Sequence, residues 1–198
     1  MRIIAGTWRA RKLAWPRQRG GGSHTTRPMP DRVKETVFNM LGHRYDTPGR
    51  LPGLCVADAF AGGGTMGLEA LSRGAARCVF HERDAAALVV LRGNIAALGA
   101  GARAVVVASD AWRSAATDPD GDGFDLIMLD PPYRDSDDTS PTGRVRSLLR
   151  AIAAFEANRP LVVLHHRAAV RPGAYAGEGW SMTDHRRIGT HGVTMLTR

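Results

Sequence analysis

From residue 54 onward, short apolar runs alternate with longer amphipathic ones, the pattern of strands and helices in turn. Residues 54–57 are apolar and end in Asp58, which predicts a buried strand. Residues 65–72 predict a helix ended by Gly74, and 78–81 a second strand leading into Glu82 and Asp84. Residues 85–98 predict a helix with Gly99 as its C-cap. Strands are expected at 104–108, 124–129 and 161–165, and helices around 111–116 and over 145–155. Residues 180–187 and 192–197 read as a closing hairpin. Alternating elements of this length imply an α/β fold, a mostly parallel sheet with helices on both faces.

The first quarter of the chain is patterned differently. Residues 2–8 read as a short strand and 13–15 as another short apolar stretch, together a basic hairpin. Its tryptophans, Trp8 and Trp15, suit either stacking on bases or packing within the hairpin. Residues 16–26, PRQRGGGSHTT, read as a flexible connector. Val33, Val37, Phe38 and Leu41 then form an apolar helical stripe, with Arg32 and Lys34 at other angles where they suit phosphate. The expected division is residues 1–26 as hairpin and connector, and 27–198 as the main domain.

Two stretches carry candidate chemistry. Gly62, Gly63 and Gly64 follow the first strand, with Gly67 one turn into the next helix. Such a turn lets a ligand approach the main chain, and the helix start offers unpaired N–H groups. It builds a nucleotide-like pocket at the carboxyl end of the first strand. The spacing G-x-G-x-x-G is weak alone in a chain with 23 glycines. The second stretch is Asp130-Pro131-Pro132-Tyr133, just after an apolar run. Its prolines stiffen the exit from a strand and bring an acid and an aromatic ring to the same sheet edge. The polar loop at 134–142 that follows suits closure over a substrate.

The ends of the other strands add acids. Glu82 lies 18 residues beyond Gly64, where a ribose diol would be held. Asp84 suits the start of the next helix. Asp110 is placed to bound a base ring, and Asp58 to hold a polar cofactor tail. Carboxylates here favour a ligand bearing an amino group over a pyrophosphate.

Charge changes the picture of partners. The formal net charge is +8, and residues 1–50 hold 11 Lys or Arg against 3 Asp or Glu. Residues 51–198 hold 16 of each, so the excess sits in the first quarter and points to a phosphate-rich partner there. Two cysteines outside any metal spacing suit a reducing cytoplasm, and no metal is expected. The start has no signal-like apolar region and no run suits a bilayer span, so no membrane role is expected.

RIIAGTWRARKL, RPMPDRVKETVFNML, DAFAGGGTMGLEALSRGA, DPPY and the closing GTHGVTMLTR together resemble the RsmD family of bacterial 16S rRNA guanine-N2 methyltransferases. The resemblance implies a class I methyltransferase-like Rossmann fold, seven-stranded with an antiparallel last strand, and S-adenosylmethionine as cofactor. It implies that Asp58, Phe60, Gly62, Gly64, Glu82 and Asp110 hold the cofactor. Asp130 and the Pro131 carbonyl would accept from the guanine amine, and Tyr133 would stack on the flipped base. Arg9, Arg11, Lys12, Arg27 and Arg32, with Tyr133, would meet the RNA, and the resemblance implies a partly assembled small subunit as its setting. The chain departs from the family at Gly63, at Met29-Pro30, and at His165-His166-Arg167, where an acid is expected. Two other readings fit the same motifs: an amino methyltransferase on adenine N6 of DNA or RNA, and a non-catalytic RNA-binding assembly factor.

Overall fold

The computed structural model describes residues 1–16, 29–114, 117–121, 123–155 and 159–198. Its strands are β1 (Cys55–Ala59), β2 (Arg77–Glu82), β3 (Ala104–Ala108), β4 (Leu126–Leu129), β5 (Leu161–Arg167), β6 (Ser181–Ile188) and β7 (His191–Thr197). They form one sheet in the order β3-β2-β1-β4-β5-β7-β6. β1 to β5 pair in parallel, and β7 runs antiparallel to both β5 and β6. This is the seven-stranded, mostly parallel sheet with a reversed last strand that the resemblance implies. The closing hairpin is folded back so that its second strand, not its first, meets the sheet.

The helices are α1 (Asp31–Arg44), α2 (Thr65–Arg73), α3 (Ala85–Leu98), α4 (Ala111–Ser114), α5 (Tyr133–Ser136) and α6 (Arg144–Phe155). The core lies in two layers, because strand side chains alternate between faces. Val56, Cys78, Phe80, Leu126, Met128 and Val163 pack toward α1, α2 and α3. Ala57, Val79, Ile127, Leu129, Val162 and Leu164 pack on the other face with Val145, Leu148 and Ile152 of α6. Among the described residues no helix is long and apolar enough to cross a membrane.

Several local expectations shift. Residues 2–8 do not form a strand: the N-terminal hairpin has one bridge, Arg2 to Lys12, and otherwise turns. Some of its backbone donors bond within the hairpin, as Ile3 N–H does to the Arg11 carbonyl, and others reach helix side chains. Ile4 and Ala5 N–H donate to the Glu69 carboxylate at 2.8 and 3.0 Å, and Trp8 N–H to Ser72 Oγ. The loop after DPPY begins with the short helix α5. The connector from residue 17 onward, with Arg27, lies outside the described residues.

Lys34 corrects the pattern most. It does not face phosphate; it is 1% exposed, 3.2 Å from Glu69, and donates to the Arg2 carbonyl at 2.6 Å. Glu69 also accepts from Arg73 Nε at 2.8 Å. A buried carboxylate with four donors is well satisfied, which offsets the cost of removing these charges from water. The network ties residues 2–5, α1 and α2 together.

Candidate active site

The parallel register brings the carboxyl ends of β1, β2, β4 and β5 to one edge. Ala59 lies beside His81 and Leu129, and Leu129 beside Leu164. Ligands of open α/β sheets bind at this edge.

The β1–α2 turn forms half of the site. Gly64 caps α2 with φ 81°, a left-handed conformation that side chains resist. At Gly67 a Cβ would stand 2.3 Å from the Phe80 ring and 2.5 Å from Cys78 Sγ, so only glycine lets α2 pack this close to β2. Phe60 adopts φ 66°, rare for a bulky residue, and its ring sits edge-on to Trp112 at 4.7 Å. Glu82 accepts the Gly62 N–H on Oε2 at 2.8 Å, and those of Arg83 and Asp84 on Oε1 at 2.8 and 2.7 Å. It therefore pins the glycine turn to the end of β2. Asp84 caps α3, accepting from Ala87 N–H at 2.8 Å. Asp110 pairs with Arg83 at 3.0 Å and accepts from Trp112 N–H.

Asp58 is buried deeper than a residue facing a ligand: it is 2% exposed, and its Oδ2 accepts from Gly67 N–H at 2.8 Å. Burial pushes its carboxyl up from 3.8 to about 8, with Asp130 and Glu82 adding repulsion against the pull of the Gly67 bond.

The N-terminal hairpin reaches this turn. Asn94 of α3 accepts from Ala14 N–H at 2.8 Å and donates to the Ala14 and Gly63 carbonyls. The Trp15 ring lies against Gly62 and Gly63. Trp8 faces Arg103, whose guanidinium is 5.2 Å from its ring. Both tryptophans pack within the protein.

The other half of the site is made of side chains. Asp130, just past β4, has its Oδ1 2.7 Å from His165 Nδ1. His165 Nε2 lies 3.0 Å from His191 Nδ1, and the Tyr133 hydroxyl lies 3.0 Å from the same nitrogen. The two imidazoles stack at 5.2 Å, and Tyr133 meets His165 edge-on at 5.7 Å. The Arg167 guanidinium covers the Tyr133 ring at 5.0 Å and pairs with Asp137 at 3.3 Å. Burial, with Asp130 adding, raises the Tyr133 pKa, so the phenol keeps its proton. Burial and the neighbouring His165 lower that of His191. His166 points to the opposite face, between Thr194 and the Arg167 carbonyl, and burial lowers its pKa to about 4.

Of the expected RNA contacts, Arg9, Arg11, Lys12 and Arg32 are exposed, and Arg11 donates to the Ala97 carbonyl at 2.8 Å. Pro131 is buried and Tyr133 half-buried. Among the described residues no group of three His, Cys, Asp or Glu is arranged to hold a metal.

The family described as Conserved hypothetical protein 95 matches residues 1–197. The chain belongs to this family. YlbH of Bacillus subtilis (strain 168) is 40% identical over 157 residues, 79% of this chain and 76% of that one. Ribosomal RNA small subunit methyltransferase D of Escherichia coli (strain K12) is 42% identical over 134 residues, 68% of this chain and 61% of that protein. The solved structure of YhhF from Escherichia coli superposes with a TM-score of 0.75 at 30% identity, covering 100% of this chain and 97% of that one.

The structure gathers at the β4 end residues that motif spacing does not single out. His165 stands out in the sequence only as a histidine where an acid is expected. His191 has no local signal; it reaches the site because β7 lies antiparallel to β5 with Arg167 opposite His191. Arg167, on the same face, joins them over Tyr133.

Proposed function

We propose that this protein transfers a methyl group from S-adenosylmethionine to the exocyclic N2 of a guanine in small-subunit ribosomal RNA. One observation carries the proposal: Asp130 follows Leu129, which pairs with Ala59 at the end of β1, so an acceptor for an amine and the acids around the glycine turn share one sheet edge. The name of the Escherichia coli relative supports it.

The residues present fit this cofactor. Gly62, Gly63 and Gly64 bring no side chain of their own to the turn, although the Trp15 ring packs against the first two; Glu82 retains acceptor capacity beyond its three backbone bonds, and Asp110 is half-buried beside it. Glu82 suits ribose hydroxyls, Asp110 the adenine side, and the glycine turn the amino-acid part, with Asp58 acting from behind the turn through its bond to the Gly67 N–H rather than touching the ligand. When bound, S-adenosylmethionine supplies a methyl group on a sulfonium, a leaving group that needs no acid.

The chain's own residues do the rest. A base amine is a poor nucleophile because its lone pair is delocalised into the ring. Asp130 and the Pro131 carbonyl accept from its two N–H groups and hold it so that the lone pair faces the methyl carbon. The proton shed after transfer leaves through the Asp130 carboxylate to water. Tyr133 offers a ring face to a base turned out of its stack. Arg9, Arg11, Lys12, Arg27 and Arg32 would engage the RNA backbone, whether the substrate is free RNA or a partly assembled subunit. A cytoplasmic location accords with this substrate and with the free thiols of Cys55 and Cys78.

The test is incubation with labelled S-adenosylmethionine and small-subunit RNA, DNA or partly assembled subunits, followed by mass spectrometry of the nucleosides. N2-methylguanine in the RNA is the expected product. N6-methyladenine would identify an adenine enzyme, and no modified nucleoside on any substrate would leave a binding factor.

A further inference from the structure

Asp130 has one oxygen committed and one free. Its Oδ1 meets His165 Nδ1 at 2.7 Å, while among the described residues no donor reaches Oδ2. Half of the carboxylate is thus held from inside the protein, by a histidine only 4% exposed at the far end of a core strand.

We propose that His165 is the positioning residue for Asp130, and that His191 and Tyr133 hold His165 in the donating state. The inference rests on the reading of Asp130 as the acceptor of the substrate amine.

With the neutral ring that the proposal assigns to His165, the partners set the proton positions. A carboxylate only accepts, so the His165 proton in this bond is on Nδ1. Nε2 of a neutral ring is then an acceptor, and its neighbour is His191 Nδ1 at 3.0 Å. His191 therefore carries its hydrogen on Nδ1, and the Tyr133 oxygen at 3.0 Å shares it. Stacking on His191 and the Tyr133 edge fix the plane of the His165 ring, and with it the line along which Nδ1–H points. An aspartate has two rotatable bonds; a buried donor on Oδ1 leaves Oδ2 aimed one way. Small errors of aim at a reacting amine are costly. An acid at this position would repel Asp130, and an arginine would neutralise it. A neutral imidazole orients the carboxylate and leaves its charge available to the amine. The other charged groups at hand, Arg167 and Asp137, are paired with each other.

Three single variants of the full chain test this: His165→Asn, His165→Leu and Asp130→Ala, with the His165→Leu/Asp130→Ala double variant. Asparagine presents an N–H near the place of Nδ1, and leucine has a similar volume and no donor. Single-turnover methyl transfer to small-subunit RNA, calorimetric affinity for S-adenosylmethionine and thermal unfolding are measured on each. His165→Leu should lose about ten-fold or more in rate at saturating RNA, with KM and cofactor affinity held, as expected for lost alignment. His165→Asn should recover most of that loss. The double variant should be no slower than Asp130→Ala.

A second readout needs no activity. The ¹⁵N resonances of His165 should report the Nδ1–H tautomer in the parent protein and lose that preference in Asp130→Ala. This readout decides alone if His165→Leu does not fold. Parent-like turnover by His165→Leu, an equal loss in His165→Asn, or a tautomer indifferent to Asp130 would each overturn the inference. If Asp130→Ala itself transfers methyl at the parent rate, the assignment of Asp130 fails and this inference falls with it. A slow Asp130→Ala beside a fast His165→Leu removes the role of His165 alone.

Discussion

The two ends of the binding edge hold their acids by opposite means. At the β1–β2 end, backbone N–H groups do the holding: three for Glu82 and one for Asp58, while Asp110, past β3, combines one such bond with an ion pair to Arg83. At the β4–β5 end Asp130 is held by a side chain, His165, and that ring by two more, His191 and Tyr133. The first arrangement is set by the shape of a turn and moves only if the turn moves. The second depends on three separate elements being in register, and each side chain can be exchanged singly. The first suits a cofactor bound in one way each time. The second is open to tuning toward a particular base.

The largest effect should come from breaking that division of labour. Asp130→Ala should lower single-turnover methyl transfer about 10²-fold, because the proposed bond to the amine would strengthen as the reaction proceeds. Calorimetry should find its cofactor affinity unchanged. A loss of cofactor affinity equal to the loss of rate would mean that the two ends act as one site.

Glu82→Ala is the converse test. It should weaken S-adenosylmethionine binding by about 1.5–3 kcal/mol through lost charge-assisted bonds. It also frees three backbone donors, so the folded variant should show faster amide exchange at Gly62. Unchanged affinity would remove Glu82 from the cofactor site. Tyr133 separates ring from hydroxyl on the other side. Tyr133→Ala should cost about 1–3 kcal/mol of base stacking, read as weaker RNA binding. Tyr133→Phe should be mild, because His191 still reaches His165 without the phenol. Equal losses in the two would assign the effect to the hydroxyl.

A smaller effect lies in the pH dependence of stability. The Asp58 carboxyl rises on folding from 3.8 to about 8, so its contribution is full below 3.8 and is lost as pH rises through about 8. His81 and His166 fall from 6.5 to about 4, chiefly by burial, so theirs is full above 6.5 and lost as pH falls through about 4. Thermal unfolding should therefore peak near pH 6.5, with a decline toward pH 8 that Asp58→Asn removes. Persistence of that decline in Asp58→Asn would place its cause elsewhere. The smallest effect belongs to the basic surface. Arg9→Ala should weaken RNA binding a few-fold and reduce its salt slope by about 0.7–0.9, with cofactor affinity unaltered. An unchanged slope would take Arg9 off the phosphate path.

The geometry of the β1–β2 end, where the cofactor is proposed to bind, was legible from the chain alone because its partners are near neighbours in sequence. Asp58 and Gly67 are nine residues apart and Glu82 and Gly62 twenty, within one strand–turn–helix–strand unit whose geometry the glycines and apolar runs dictate. The alternating pattern likewise determined the parallel sheet, and DPPY marked the end of β4. Sheet register decided the rest. Asp130 meets His165 across 35 residues and Tyr133 meets His191 across 58, through the antiparallel seating of β7 on β5. No local spacing encodes such a contact, since it depends on which strands become neighbours. Lys34 illustrates the same limit. A lysine off an apolar stripe reads as solvent-facing, and only the packed structure sets Glu69 opposite it, where a buried charge gains the partner that makes its burial tolerable.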